Sequence, residues 1–133
     1  MTDVTIETNP EVGGEDEYLL FAGDYFPREI LTGESLVSSS LSDVISASSF
    51  ASLNLEAPVR SATPLAKYGP TISLAPASID AVANAGFDQV QLANNHIMDY
   101  GQAGLQQTID RCGTVGLGTV GAGGTRKAAL DPA

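Results

Sequence analysis

Hydrophobic positions along the chain change period several times, and the changes predict alternating strands and helices. The run YLLFAG (residues 18–23) is apolar without a helical stripe and stops at Gly23-Asp24, as a buried strand running into a turn does. From Glu34 to Ala47, the apolar positions Leu36, Val37, Leu41, Val44 and Ile45 recur at helical spacing among serines and acids, which predicts an amphipathic helix. SFASLNL (49–55) alternates as a second strand and ends at Glu56-Ala57-Pro58, where proline halts sheet pairing. The stretch VRSATPLAKYGPTISLAPAS (59–78) carries three prolines and little periodicity, so a long loop is expected, a kind that is often functional. Pro76 is expected to open a helix through Ala85, with Gly86 as its cap, and FDQVQLA (87–93) to form a third strand. GQAGLQQTIDR (101–111) reads as a helix ended by Gly113, and VGLGTVGAG (115–123) as a short strand with a glycine turn. Strands and helices alternating in this way imply an α/β fold with a mostly parallel sheet and right-handed crossovers.

Residues 1–16 are polar, acidic and interrupted by Pro10 and a Gly-Gly pair, so a flexible acidic arm is expected there. The remainder, 17–133, is long enough for one core and too short for two ordinary ones. Sixteen acidic residues stand against six basic ones, a formal charge of -10. Such a surface repels phosphate backbones and anionic lipid, which argues against nucleic acid or a membrane surface as partner. It also stays hydrated in concentrated salt, so a halophilic setting is expected. The single Cys112 cannot form an internal disulfide, the acidic amino terminus lacks a secretory signal, and no apolar run approaches the ~20 residues of a membrane span. A cytoplasmic location follows as the expectation.

The polar residues of interest fall in three places with one context. Gly23-Asp24, Asn54-Leu55-Glu56 and Asn94-Asn95-His96 each lie at the carboxyl end of a predicted strand. In an open parallel sheet those ends share the edge where ligands bind. Asp24, Glu56, Asn95 and His96 are therefore expected to converge, and two carboxylates, an amide oxygen and an imidazole form a ligand set suited to Mn, Fe, Zn or Mg. Each residue has a structural alternative. Asp24 could serve a turn or cap a helix, Glu56 could be a solvated loop acid, the asparagines could satisfy loop backbone, and His96 could be structural. For Asp99 the capping role, at the helix starting near Gly101, is the preferred reading. The pattern G-x-G-x-x-G at 116–121 fits a dinucleotide fingerprint only in its glycines, because a helix precedes it and no acid can follow at the required distance.

Several motifs together carry a family resemblance: FAGD (21–24), NLEAP (54–58), AGFDQVQLANNHIMDYG (85–101), GLQQTID (104–110) and GAG (121–123). With them the sequence resembles the CapA family, named for poly-gamma-glutamate capsule synthesis, whose fold is similar to that of calcineurin-like metallophosphoesterases. The resemblance spans about Tyr18 to Pro132, and the NNH-centred motif is its most specific part. It implies that Asp24 and Glu56 bind metal, that Asn95 is a further ligand, and that His96 aids departure of the leaving group. Asn54, Asn94, Asp99 and Gly101 are expected to shape the site. The cofactors implied are two divalent metal ions.

Two positions depart from the wider superfamily. Tyr25 and Phe26 follow Asp24 where a D-x-H histidine would stand, and Glu56 occupies a position usually held by aspartate. The family also has later histidine motifs and a second half to its sheet. The 133 residues are thus expected to be an amino-terminal portion, inactive alone and needing the missing carboxyl-terminal half or an oligomeric partner. The function expected of the whole is a metal-dependent, phosphoesterase-like hydrolase tied to capsule synthesis. The alternatives are a non-catalytic, metal-dependent component that binds or assembles an acidic polymer such as poly-gamma-glutamate, and an inactive fragment.

Overall fold

A computed structural model of the chain describes residues 17–27 and 37–131. The acidic arm expected at 1–16, and the expected start of the first helix at 34–36, lie outside the described residues. Four strands alternate with four helices: β1 (Leu19–Tyr25), α1 (Ser39–Ala47), β2 (Phe50–Leu55), α2 (Pro76–Asn84), β3 (Gln89–Gln91), α3 (Gly101–Thr114), β4 (Gly118–Val120) and α4 (Arg126–Leu130). All strands pair in parallel in the order β1-β2-β3-β4, so the α/β class and the parallel sheet read from the periodicity are what the chain adopts.

Because each strand lies beside the next one in sequence, crossovers of a single hand put α1, α2 and α3 on one face of the sheet. The burial pattern agrees. Leu20, Ala51, Leu53, Leu55, Val90 and Leu92 are buried together with Ile45, Ile79, Val82 and Leu105 of the helices. On the opposite face of β1, Leu19 and Phe21 are each 62% exposed, and Phe21 meets Phe50 with ring centroids 6.3 Å apart. Ser52, on that same face of β2, is buried with no hydrogen-bond partner for its hydroxyl. A bidentate pair between Arg111 and Asp80 ties α3 to α2.

The helix boundaries show which sequence signals decide. α1 starts at Ser39, because Ser38 is the cap whose hydroxyl accepts from the Leu41 N–H. Gly86 ends α2 as expected, with φ +96° just past the cap. Gly113 does not end α3, which continues through Thr114. The left-handed residue is Gly116 (φ +81°), and the Leu117 N–H returns to the Cys112 carbonyl at 2.9 Å, closing a Schellman turn. The glycines at 116–121 therefore leave a helix and enclose β4, the reverse of the order a dinucleotide fingerprint needs.

The stretch 56–75 is irregular, as expected, yet pinned along its length. Val59 and Leu74 form an isolated parallel bridge, and the Val59 N–H donates at 2.8 Å to Thr108 Oγ1 inside α3.

Cys112 is fully buried in the core, and burial pushes its thiol up to about 11. Its thiolate fraction near pH 8 is then roughly a hundredfold or more below that of a free cysteine. The folded protein should react with a thiol reagent about that much more slowly than denatured protein, a ratio that stopped-flow labelling of this single cysteine measures directly.

Candidate functional site

The carboxyl ends of β1, β2 and β3 are joined by a line of side-chain hydrogen bonds. Asn54 Nδ2 donates to Asp24 Oδ1 at 2.6 Å, and Asn94 Nδ2 donates to Asn54 Oδ1 at 3.1 Å and to the Leu55 carbonyl at 2.9 Å. Asn94 Oδ1 in turn accepts from the backbone N–H groups of His96 and Ile97, at 3.0 and 2.9 Å. Both ends of that amide are therefore spent on shaping the turn, which is the physical reason an asparagine stands there. The residue after it, Asn95, is exposed, and no hydrogen bond engages its side chain among the described residues.

A bulge in β1 aims Asp24. Phe21 pairs with Ser52, but the next partners are Asp24 and Asn54, so three steps on β1 match two on β2. Strict alternation from Leu20 would turn Asp24 toward the helices. The extra residue at Ala22-Gly23 reverses the alternation, so that Asp24 joins Asn54 while Tyr25 turns inward and donates from its hydroxyl to the Ser78 carbonyl of α2 at 3.2 Å.

The second group of side chains lies in and beside the turn after β3. His96 Nδ1 is 2.8 Å from Asp99 Oδ2, the Ile72 N–H donates to that same oxygen at 2.8 Å, and Lys67 donates to Asp99 Oδ1 while its Nζ lies 3.2 Å from His96 Nδ1. Asp99 is only 1% exposed. Burial alone would raise its pKa, but the hydrogen bonds from Lys67, the Ile72 N–H and His96, with the charge of Lys67, outweigh that and hold it below the ordinary carboxylate value.

Asp99 is thus not the cap of α3. The capping residue is Tyr100, with no side-chain bond to the helix, and the Asp99 carboxylate faces the long loop instead. Gly101 does begin α3, at φ +62°, with the Leu65 side chain against it.

Among the residues singled out in the sequence, Asp24, Asn54 and Asn94 are linked, as are His96 and Asp99. Glu56 follows β2 directly, with its backbone N–H on the Tyr25 carbonyl at 3.2 Å, but no hydrogen bond joins its side chain to either group among the described residues. Lys67 was missed. The available signal was its isolation: it is the sole Lys or Arg between Arg60 and Arg111 in an acidic chain.

No three His, Cys, Asp or Glu side chains converge closely enough to enclose a metal among the described residues. What the strand ends offer is mainly oxygen, from Asp24, Glu56 and Asn95. That chemistry fits a hard divalent ion completing its shell with water or with ligands beyond this set, and does not fit a closed thiolate or histidine cage. Nor is any helix among the described residues long and apolar enough to cross a membrane.

No curated protein matches the chain at a significant level. The family profile described as bacterial capsule synthesis protein PGA_cap matches residues 18–133, nearly the whole of it. The strand-end motifs and this match lead to one conclusion: the chain belongs to the PGA_cap family of bacterial capsule synthesis proteins.

Proposed function

We propose that the strand-end edge is the metal-dependent hydrolytic site of a capsule synthesis protein, acting on a phosphoester or a related centre. The observation that carries this reading is the hydrogen-bonded line Asp24–Asn54–Asn94, which fixes a carboxylate at the sheet edge where α/β proteins bind ligands. In this reading Asp24, Glu56 and Asn95 hold a divalent ion through oxygen. When bound, such an ion would lower the pKa of a coordinated water toward roughly 7. The chain's own contribution is orientation and proton handling. Asn54 occupies Asp24 Oδ1 and leaves Oδ2 for a ligand, while His96, anchored through Nδ1, takes up a proton at Nε2 to become imidazolium and passes that proton to the leaving oxygen.

A second reading, metal-dependent binding of an acidic polymer without hydrolysis, is supported by the family's link to capsule synthesis.

The test is turnover of a chromogenic phosphodiester and a monoester in high salt, after chelation and after manganese is returned. Hydrolysis that depends on manganese and is abolished in Asp24→Ala is expected. Metal-dependent retention of poly-gamma-glutamate in equilibrium dialysis with no turnover would replace the hydrolase with the binder. Neither activity would remove both.

A further inference from the structure

Three groups contend for two acceptor oxygens and one ring nitrogen around Asp99. Lys67 Nζ can only donate, so its 3.2 Å approach to His96 Nδ1 is a hydrogen bond only if that nitrogen carries a lone pair. In that tautomer, however, the lone pair would face Asp99 Oδ2 at 2.8 Å, acceptor against ionised acceptor in a buried setting. Placing the proton on Nδ1 turns the same distance into a charge-assisted hydrogen bond and leaves Lys67 with Asp99 Oδ1 as its partner.

We infer that Asp99 and Lys67 are positioning residues: Asp99 fixes His96 as the Nδ1–H tautomer, and Lys67, by holding the other carboxylate oxygen, fixes Asp99. Nε2 is then the nitrogen presented outward. It has no hydrogen-bond partner among the described residues, and the His96 side chain keeps 12% of its surface exposed. The same carboxylate fastens the long loop. Leu65 donates its N–H to the Asp99 carbonyl at 2.8 Å and Ile72 donates to Oδ2, so the segment from 65 to 72 leaves from and returns to one residue.

That His96 acts on a substrate rests on the function proposed above. Its pairing stands on the distances alone, so the two can fail separately.

The chain has a single histidine, which makes the test unambiguous. Protein labelled with nitrogen-15 in histidine would be studied by two-bond proton–nitrogen correlation at about pH 8.5, roughly two units above the ordinary imidazole value. A single species protonated at Nδ1 is expected. The Nε2–H pattern would overturn the inference, because it is what donation from Lys67 to Nδ1 requires. In Lys67→Met the His96 signals should broaden or split, and in Lys67→Arg, which can still donate to Asp99, they should return to one sharp set. An unchanged spectrum in Lys67→Met would overturn the lysine's part. If the tautomer is as expected but no substrate is turned over, the hydrolase reading falls and the pairing stands.

Discussion

Replacing Asp99 with alanine is expected to lower the unfolding free energy by about 3 kcal/mol, a large share of the roughly 5–15 kcal/mol that holds a domain of this size together. The carboxylate is buried and accepts from three donors, two in the long loop and one in the turn after β3. Without it the Ile72 N–H loses its partner, Lys67 is left beside an imidazole, and the 65–72 segment is untied at one side. Lys67 remains a quarter exposed, and water relieves part of the cost, which keeps the figure near the lower end for a broken buried pair. Urea unfolding followed by circular dichroism would read it as a lower midpoint at unchanged slope.

The pH dependence has a definite sign. Because the folded pKa of Asp99 lies below its ordinary value of roughly 3.9, the carboxylate's contribution is fully present above about pH 4 to 5 and disappears as pH falls through the lower folded value. The wild type should therefore lose more stability than Asp99→Ala between about pH 7 and pH 3. Equal losses would show that Asp99 carries no linkage.

Gly121→Ala is expected to cost about 3 to 4 kcal/mol, combining left-handed strain with overpacking. Gly121 has φ +91°, and a Cβ there would lie 2.7 Å from Ala93 Cβ and 2.9 Å from the Ala93 backbone nitrogen. The backbone atom has nowhere to go, because Ala93 connects Leu92, hydrogen-bonded to the Val120 carbonyl at 2.8 Å, to Asn94. Relief has to come from moving either β4 or the turn that carries Asn94 and His96. Thermal unfolding would report the loss. Should the melting temperature stay within a degree or two of wild type, the close approach is softer than it looks. Gly113→Ala makes the control, since a Cβ there meets nothing within 4 Å and the position is helical.

Much of this architecture was legible before any coordinates. The alternation of apolar runs and helical stripes gave the strands and their order of appearance, and the polar residues at the ends of YLLFAG, SFASLNL and FDQVQLA marked the edge at which Asp24, Asn54 and Asn94 are joined. Such signals are local, and the misses were not. Asp99 looked like a cap because caps are judged from the next four residues, whereas its partners Lys67 and Ile72 stand 32 and 27 positions away. Gly113 looked like a helix end because glycine is weak in helices, yet the Schellman bonds that close α3 needed a left-handed residue, supplied by Gly116. The reach of Asn54 to Asp24 depended on a register shift in β1 that hydrophobic periodicity alone does not reveal.

That register shift also bears on how the site can be inherited. The direction of Asp24 is decided by a count of residues between Phe21 and Asp24, not by the chemistry of Ala22 or Gly23, and no Cβ at position 23 would meet anything within 4 Å. Point substitutions at these two positions leave the count intact. Regular pairing over the present length would turn the carboxylate into the apolar layer beneath the helices, whereas loss of one codon would remove the bulge and still leave the carboxylate opposite Asn54, so at this edge of the protein the bulge and the length of the strand have to change together.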